Sequence, residues 1–429
     1  MTQRLHDVVI IGAGMAGLAA ARVLVDAGVD VVVVEGRDRV GGRVHTLYPA
    51  QAPLPVELGA EFLHGPAPET RAVTTAHGIP VVRVGEDRVQ LTRGRVSEVP
   101  DMWAQIGAVF DLVTARDKTH SLDDFLARAP GGRKLADARK RVREFVAGFH
   151  AADPARVSLE SVIDGSPDDD DDGQQARVLG GYGAVVDALA DGLRDRIRLD
   201  SVVRVVRWRR GHVDVELGDG AVVAARAAIV TASIGVLQSP TLRFDPTPAR
   251  LTAALACFSM GHVVRITFVF RTRLQAAVSS SVSSAAFLHL GSDEIFPMWW
   301  TSAPIESTQL VAWVGGPAAE AMMGVPREVL IDKALSSLAK QLGMSRARVR
   351  DEFVCAITHD WSNDPFARGA YSTVNVGGDD GAALLSRPFS STVFFAGEAT
   401  ASDGRGGTVD GAMGTGHRAA KQLLRSRRG

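Results

Sequence analysis

The sequence predicts an α/β fold that opens with a Rossmann-type dinucleotide-binding unit and continues into a second domain of mixed α and β structure. Two observations predict this fold class. A strand, a glycine-rich turn, a helix and a second strand ending in an acidic residue follow one another at the start of the chain. The length of 429 residues exceeds the size at which one hydrophobic core keeps growing, so two domains are expected.

The first βαβ unit is complete at the very start of the chain. Residues 8–11 are apolar and β-branched, as in a buried strand, and the alanine-rich residues 18–25 favour a helix. Gly28 can end that helix, and residues 31–34 form a second apolar strand followed by Glu35. The order of elements and the terminal acid are those of a dinucleotide-binding unit.

The turn between the first strand and the helix reads Gly-Ala-Gly-Met-Ala-Gly. Gly12 allows the tight turn, Gly14 lets the backbone approach a pyrophosphate, and Gly17 lets the helix pack closely on the strand. Ala16 lies in the same turn. The helix N-terminus attracts phosphate, and Glu35 can accept hydrogen bonds from a ribose diol of FAD or NAD.

The pattern changes beyond residue 62, where apolar residues recur at helical spacing between polar stretches. We expect helices over residues 99–114, 122–126 and 135–149, which would form a helical substrate cap. The run of five aspartates within residues 166–173 predicts an exposed loop, because proline and like charges disfavour regular structure.

The remaining elements follow from local apolar patterns and turn residues. Gly218, Asp219 and Gly220 predict a hairpin turn. The expected strands are 202–207, 213–217, 222–225, 228–231, the last returning to the main sheet, and 263–270, in a second sheet. The expected helices are 183–193 and 330–342, and the serine-rich residues 279–284 are expected to form a loop.

Composition excludes several classes of protein. Hydrophobic residues make up 46% and charged residues 23% of the chain, which argues against a disordered or fibrous protein. The formal net charge of −1 offers no basic field for nucleic acid. Cys257 and Cys355 lack the spacing of a zinc site, so no metal is expected and two buried thiols are the simplest interpretation. The N-terminus enters a strand directly and no apolar run reaches membrane-spanning length, so we expect a cytoplasmic protein without a membrane segment.

Residues 35–43 read Glu-Gly-Arg-Asp-Arg-Val-Gly-Gly-Arg. This stretch resembles the E-x-R-x-x-x-G-G-R motif of the flavin-containing amine oxidase family, and the resemblance selects FAD over NAD. It implies that Gly36, Arg37, Gly42 and Arg43 contact the cofactor. Arg43 can offer planar donors to phosphate or flavin oxygens.

Further stretches of the chain resemble the same family. Residues 57–65 are similar to the segment that passes the flavin ring, in the form common among polyamine oxidases. Other family stretches are resembled by residues 180–183, 231–237, 394–400 and 407–412. Val203 falls where the family commonly contacts adenine. The additional cofactor contacts that the resemblance implies are Gly59, Ala60, Glu61, Phe62, Gly397, Glu398, Thr408 and Val409.

The resemblance also implies the domain organisation. We expect a Rossmann-type FAD-binding domain, discontinuous over residues 1–62, 180–250 and 355–429. It would be interleaved with an α+β substrate-binding domain over residues 63–179 and 251–354. This is the arrangement of the amine oxidase and glutathione-reductase-like FAD fold.

The family chemistry is removal of a hydride from a carbon next to nitrogen, which requires the neutral amine and a partly desolvated pocket. In the family an aromatic residue and a partner flank the amine; the matching positions are Tyr371 and Thr408, with Trp361 packing beside the flavin. Ala370 stands where monoamine oxidases carry the cysteine that tethers their flavin. The FAD is therefore expected to be noncovalent.

Three polar residues are candidates over the substrate face. His64 matches a polyamine oxidase histidine that can hydrogen-bond an amine, and Glu61 can attract a cationic one. Arg265 occupies the position of the family lysine that holds a water near the flavin and is associated with reaction with oxygen. Arginine can also hold a water but cannot act as a base, and the alternative is a structural ion pair.

The sequence therefore predicts a noncovalent FAD enzyme that oxidises a small amine, polyamine-like in one interpretation, to an imine that water hydrolyses. Oxygen is the expected acceptor, giving hydrogen peroxide, and Arg265 at the lysine position is the departure from the family that bears on this step. The alternatives are a specialised amine or amide oxidase of secondary metabolism and an L-amino-acid oxidase, which needs an arginine on the substrate carboxylate. A chromatin demethylase is disfavoured because no coiled-coil arm is inserted, and the sequence specifies no oligomeric state.

Overall fold

The computed structural model describes residues 4–85, 87–99, 101–165 and 175–427. The predicted acidic loop at residues 166–173 lies outside the described residues. The strands are β1 (Leu5–Ile11), β2 (Val31–Val34), β3 (Thr46–Leu47), β4 (Val56–Glu57), β5 (Phe62–His64), β6 (Val81–Arg83), β7 (Arg88–Thr92), β8 (Arg95–Glu98), β9 (Gln175–Val178), β10 (Ile197–Arg198), β11 (Val203–Arg209), β12 (His212–Leu217), β13 (Val222–Val230), β14 (Arg243–Asp245), β15 (Phe258–Met260), β16 (Val263–Phe270), β17 (Phe287–His289), β18 (Met298–Trp300), β19 (Gln309–Gly315), β20 (Phe353–Thr358), β21 (Ser372–Val374) and β22 (Val393–Phe395).

The helices include all those expected from apolar periodicity, with bounds shifted by a few residues. They are α1 (Met15–Asp26), α2 (Pro68–Ala76), α3 (Met102–Phe110), α4 (Leu122–Ala127), α5 (Ala136–Gly148), α6 (Leu159–Asp164), α7 (Gly183–Ala190), α8 (Ile234–Leu237), α9 (Leu251–Ala256), α10 (Ser280–Ser284), α11 (Pro317–Glu320), α12 (Arg327–Leu342), α13 (Arg346–Glu352), α14 (Gly381–Ser386) and α15 (Val409–Ser426).

The larger sheet confirms the predicted βαβ opening. β1 pairs in parallel with β2 on one side and β13 on the other, β10 pairs with β2, and β22 pairs with β13. The antiparallel strands β11 and β12 extend the sheet beyond β13, and β14 pairs with β11. Glu35 follows β2 directly, so the sheet places this acid beside the glycine turn.

The prediction of two separate strands between residues 222 and 231 is wrong. Residues 222–225 and 228–231 were expected to be separate strands, but β13 is continuous. Its first half pairs with β12 and its second half with β22, so one strand belongs to both the hairpin and the parallel sheet. Arg226 interrupts the apolar pattern, yet its side chain simply lies exposed on the strand.

The second sheet has the order β20-β16-β19-β18-β17-β7-β8 and packs its apolar face on α12. It confirms the strand expected at residues 263–270 and the helix expected at 330–342. Because β20 pairs with β16, this sheet continues past residue 354, where the sequence-based domain boundary was drawn. The division into two discontinuous domains stays a prediction.

The cap and the connections between the sheets add detail that the sequence pattern did not give. α3, α4 and α5 pack around a shared apolar cluster. Residues 279–284 were expected to form a loop, but α10 occupies them because the Ser279 hydroxyl caps the helix by accepting from the Val282 amide. Cys257 and Cys355 are free thiols, half-buried rather than buried as expected. Within the described part of the chain, no helix is long and apolar enough to cross a membrane.

Candidate active site

A cavity of about 2010 Å³ runs from the glycine turn of the larger sheet to the face of the second sheet. This volume exceeds the roughly 300–1,000 Å³ of ordinary ligand pockets, and it offers room for a dinucleotide together with a substrate. Among the predicted site residues, Gly17 packs in the turn itself, and the others all line this cavity. They are Gly12, Gly14, Ala16, Glu35, Gly36, Arg37, Gly42, Arg43, Gly59, Ala60, Glu61, Phe62, His64, Val203, Arg265, Trp361, Tyr371, Gly397, Glu398, Thr408 and Val409.

The glycine turn leaves one open position toward the cavity. A Cβ atom added to Gly17 would lie 1.9 Å from the Gly12 carbonyl oxygen, so the turn and α1 require glycine there. A Cβ added to Gly14 would have only the Gly42 Cα, at 3.8 Å, within 4 Å. The protein itself therefore tolerates a larger residue at position 14, and the free space faces the cavity.

Glu35 is fixed at the same end of the cavity. Its carboxylate accepts hydrogen bonds from the backbone amides of Ala13 at 2.7 Å and Arg37 at 3.0 Å. Burial raises the pKa of Glu35, although the two amides and the neighbouring arginines oppose this shift. Each carboxylate oxygen keeps a second lone pair, so a ribose hydroxyl can still donate to it.

Arg37 is tied to the wall rather than free in the cavity. Its Nη1 donates to Asp364 Oδ2 at 2.7 Å, and its guanidinium lies over the ring of Trp361 at 5.8 Å. Burial opposes ionisation of Asp364, but hydrogen bonds from His359 and Arg37 outweigh it and lower the pKa of that carboxyl. Trp361 is itself buried and donates to the Leu58 carbonyl at 2.8 Å.

Arg43 and Glu398 link the two ends of the chain at the middle of the cavity. Arg43 Nη1 donates to Glu398 Oε1 at 2.9 Å and to the Ala370 carbonyl at 2.8 Å. Glu398 is 5% exposed and also accepts from the Ser372 hydroxyl and the Gly407 amide. Thr408 caps α15 beside this pair, so the N-terminus of that helix also faces the cavity.

Tyr371 belongs to an aromatic chamber at the substrate end. Its hydroxyl donates to the carbonyl of Phe149, at the end of α5, and burial raises the pKa of that hydroxyl above its usual value. The ring of Phe149 stacks on Phe145 at 5.1 Å and meets His64 edge-on at 5.5 Å. Phe62 continues the wall toward the second sheet.

Two histidines border the chamber, and both are held neutral. Burial lowers the pKa of His64 and of His150 to about 4, and the nearby His64 contributes to the shift at His150. The surface that His64 exposes borders the cavity. The buried Nε2 of His150 has no hydrogen-bond partner among the described residues. The chamber therefore suits an uncharged amine that donates a hydrogen bond.

Glu61 is enclosed by two arginines. Arg265 Nη2 donates to Glu61 Oε2 at 2.5 Å, and Arg177 Nε lies 3.1 Å from Glu61 Oε1. The Trp300 indole also donates to Glu61 Oε2, at 3.0 Å. Arg265 is thus in an ion pair, as one of the two sequence-based alternatives expected. A role for Glu61 in attracting a cationic amine, and for Arg265 in holding a water, stays a prediction.

Glu57 behind this cluster gives a pH-dependent contribution to stability. Burial raises its pKa from 4.5 to about 7, against hydrogen bonds from Thr46 and the Tyr182 amide and the charge of Arg265. Because the folded pKa is the higher one, stability from Glu57 is complete below pH 4.5 and is lost as pH rises through 7. The shift corresponds to roughly 3 kcal/mol.

We expect Glu57→Gln to remove this dependence. As the pH rises from 4.5 to 7, the unfolding free energy of Glu57→Gln should increase relative to that of the wild type by up to about 3 kcal/mol. Chemical unfolding at several pH values measures it. The two proteins are compared at each pH because the buried histidines titrate in the same range and affect the stability of both equally. Glu328→Gln, at an exposed helix position, should show no such change, and equal slopes for Glu57→Gln and wild type would contradict the assignment.

The sequence-based search missed Phe149, His150, Arg177 and Trp300. Phe149, His150 and Trp300 line the cavity, Arg177 contacts Glu61 in its wall, and none of the four belongs to a local motif. Residues 135–149 had been placed in a cap, so the end of that helix was the one signal that could have found the first two. Among the described residues, no group of three histidine, cysteine or acidic side chains could hold a metal ion.

The residues of the cavity fit a flavin dinucleotide. The Gly12–Gly17 turn, the open face of Gly14 and the N-terminus of α1 suit a pyrophosphate. Glu35 suits a ribose diol, with Val203 nearby on the cavity wall. Beyond the Arg43–Glu398 pair the cavity continues into the aromatic chamber, where a substrate can meet the reactive ring.

The model of one protein family, described as flavin-containing amine oxidoreductase, matches residues 15–424. Polyamine oxidase 4 of Oryza sativa subsp. japonica is 27% identical over 97% of this chain and 88% of its own length. Lysine-specific histone demethylase 1 homolog 2 of the same plant is 28% identical over 97% of this chain. The chain spans 57% of the length of that demethylase homologue.

Solved structures agree with the family match. A putrescine oxidase bound to putrescine superposes with a TM-score of 0.83, covering 99% of this chain and all of the other at 25% identity. A cyclohexylamine oxidase from Brevibacterium oxydans shares the fold, with a TM-score of 0.82 at 22% identity. With the family model matching nearly the whole chain, this protein belongs to the flavin-containing amine oxidoreductase family, whose members use FAD to oxidise C–N bonds.

Proposed function

We propose that this protein oxidises a small amine at the carbon next to nitrogen, passes the electrons to oxygen and releases an imine that water hydrolyses. The observation that carries the proposal is the continuity of one cavity. It joins the glycine turn and Glu35 to a chamber lined by Tyr371, Phe149 and His64. Bound FAD supplies the hydride acceptor, and the chain supplies the surroundings in which the amine is neutral and correctly oriented.

The chamber favours the neutral amine for a physical reason. An ammonium group entering from water would lose its hydration among aromatic rings and two neutral histidines, and that cost lowers its pKa. His64, with a pKa near 4, accepts a hydrogen bond at neutral pH without becoming charged. The lone pair that assists hydride departure is then available.

Tyr371 and Thr408 are proposed to flank the amine. Tyr371 is immobilised through its hydrogen bond to the Phe149 carbonyl, and a Cβ at Gly407 would lie 3.6 Å from its ring, so the ring stands close to the backbone just before Thr408. A rigid wall at this point holds the reacting carbon in place, which is where orientation contributes most to the rate.

The class of amine and the acceptor are parts of the proposal. The relatives named as polyamine oxidases and the putrescine oxidase support a polyamine-like substrate. We also propose oxygen as the acceptor and a cytoplasmic location. The flavin is proposed to be noncovalent, because Ala370 provides no tethering thiol. The ion pair of Arg265 with Glu61 does not favour the amino-acid oxidase alternative, because that arginine is already paired.

The test is anaerobic reduction of the bound flavin. The purified yellow protein is mixed with putrescine, spermidine, n-butylamine, cyclohexylamine and L-amino acids, and bleaching of the flavin absorbance is followed before air is admitted. We expect bleaching by at least one amine, faster than by any amino acid, and recolouring in air with one hydrogen peroxide per turnover.

Other outcomes would change the proposal in defined ways. Bleaching by an amino acid alone would replace an amine with an amino acid as substrate. No bleaching by any compound, with a flavin that dithionite still reduces, would favour a specialised metabolite. Bleaching by an amine without recolouring in air would remove oxygen as the acceptor and implicate Arg265.

A further inference from the structure

Arg177 lies on β9 and belongs to none of the motifs identified in the sequence. Its side chain makes contacts with four neighbouring residues, Glu61 among them. It is 9% exposed. Its Nη1 donates to the Ala303 carbonyl at 2.9 Å, its Nη2 donates to the Thr301 carbonyl at 2.7 Å, and its guanidinium covers the Phe62 ring at 4.8 Å. The remaining nitrogen, Nε, faces Glu61. Two nitrogens of the fork are therefore fixed by hydrogen bonds, and Nε adds an ion pair with Glu61 without hydrogen-bond geometry.

Arg177 and Arg265 lie against different oxygens of Glu61. Oε1 is opposite Arg177 Nε, and Oε2 accepts from Arg265 and Trp300. A carboxylate that faces one arginine can take it with both oxygens. The Nε and Nη1 of Arg265 are buried and have no hydrogen-bond partner in the described part of the chain. The Arg265 guanidinium is thus held by one hydrogen bond to Glu61 and by its position over the Trp300 ring at 5.7 Å.

The cluster also carries a net charge. Two arginines face one carboxylate in Glu61, all three nearly buried, so the group is positive by one unit. Glu57 is a further carboxylate that interacts with Arg265, and its pKa of about 7 leaves it partly protonated near neutrality. Removal of Arg177 would make the Glu61–Arg265 pair neutral, and neutralisation of Glu61 would add a unit of positive charge.

We propose that Arg177 is a positioning residue that orients Arg265 and keeps this wall of the flavin site positively charged. The inference rests on the proposed placement of Arg265 beside the bound flavin. A fixed positive charge in a poorly hydrated site stabilises the negative charge that reduction adds to a flavin. The cluster therefore makes the flavin easier to reduce, whatever amine is the donor.

The experiment measures the midpoint potential of the bound flavin in the holoenzyme, titrated with a chemical reductant against a reference dye. We expect Arg177→Met to lower the equilibrium constant for flavin reduction about tenfold, which is about 30 mV for a two-electron couple. Glu61→Gln should raise it by a similar factor, and the double variant should return close to wild type. Arg177→Lys retains the charge and should stay within about threefold of wild type.

Matched measurements separate a role in charge and position from a role in folding. Arg346→Met removes the arginine of an exposed surface pair with Asp332 and should leave the potential unchanged. FAD content and thermal midpoint are recorded for each variant. If Arg177→Met does not fold, the other two variants still test the inference. The equilibrium constant for flavin reduction must rise in Glu61→Gln and stay within about threefold of wild type in Arg177→Lys.

Shifts in the same direction for Arg177→Met and Glu61→Gln, or no shift for either, would overturn the inference. A lysine variant that behaves like the methionine variant would do so as well. Because no amine enters the titration, a protein that oxidises none of the tested amines would disprove the proposed function while leaving this measurement fully informative.

Discussion

Replacing Gly14 with alanine is expected to lower the affinity for FAD by about ten- to a hundredfold while the apoprotein keeps its fold. An added Cβ meets only the Gly42 Cα at ordinary contact distance, so the protein accommodates it. On the cavity side, however, it prevents close approach of a pyrophosphate to the backbone amides at the start of α1. Loss of one hydrogen bond to a charged group costs roughly 1.5–3 kcal/mol, which gives that range of affinity.

Two further glycines make this prediction specific. At Gly17 a Cβ would lie 1.9 Å from the Gly12 carbonyl oxygen, so Gly17→Ala should lose both FAD and thermal stability. At Gly107, in α3, a Cβ meets nothing within 4 Å, and Gly107→Ala should lose neither. The dissociation constant of FAD is measured on stripped protein by flavin fluorescence, with the thermal midpoint of the apoprotein alongside. A Gly14→Ala protein that binds FAD like the wild type would place the pyrophosphate elsewhere.

Tyr371→Ala is expected to slow flavin reduction by amine about a hundredfold with FAD retained. The ring forms a wall of the chamber and is held by the Phe149 carbonyl, so its removal allows the amine to bind in unproductive orientations. Displacement of a reacting atom by about 1 Å can cost about a hundredfold in rate. Stopped-flow reduction under anaerobic conditions, at saturating amine, measures the effect on the chemical step.

Tyr371→Phe provides the matched control for this wall. It keeps the ring and loses one hydrogen bond, whose net contribution of about 0.5–1.5 kcal/mol corresponds to a two- to tenfold change. The rate should therefore fall much less than in the alanine variant. If Tyr371→Ala protein is purified without FAD, the residue belongs to the cofactor site, and the proposed flanking of the amine is wrong.

The nucleotide end of the site was predictable because its parts are neighbours in sequence. The strand at residues 8–11, the glycine turn and Glu35 form one βαβ unit, and local apolar pattern and turn chemistry suffice to predict it. The structure places Glu35 against the Ala13 amide, one residue after Gly12. The match of the family model to residues 15–424 confirms the family that the stretch after Glu35 indicated.

The substrate end was decided by tertiary structure. Arg43 meets Glu398, Tyr371 meets Phe149, and Arg177 meets Glu61, each across more than a hundred residues of chain. No local pattern records such pairings, since they depend on how two sheets and a cap pack together.

The two ends therefore differ for one physical reason. Cofactor recognition uses backbone geometry, which a short sequence fixes through glycine and helix propensity. Charge and orientation in the chamber depend on side chains from separate elements, and their pKa values follow from burial that exists only in the folded protein. The sequence by itself determined the family, the cofactor and the glycine turn beside Glu35. The packing of β9, β16 and β18 around Glu61 determined that it is paired, and burial beside the end of α5 determined that His64 is neutral.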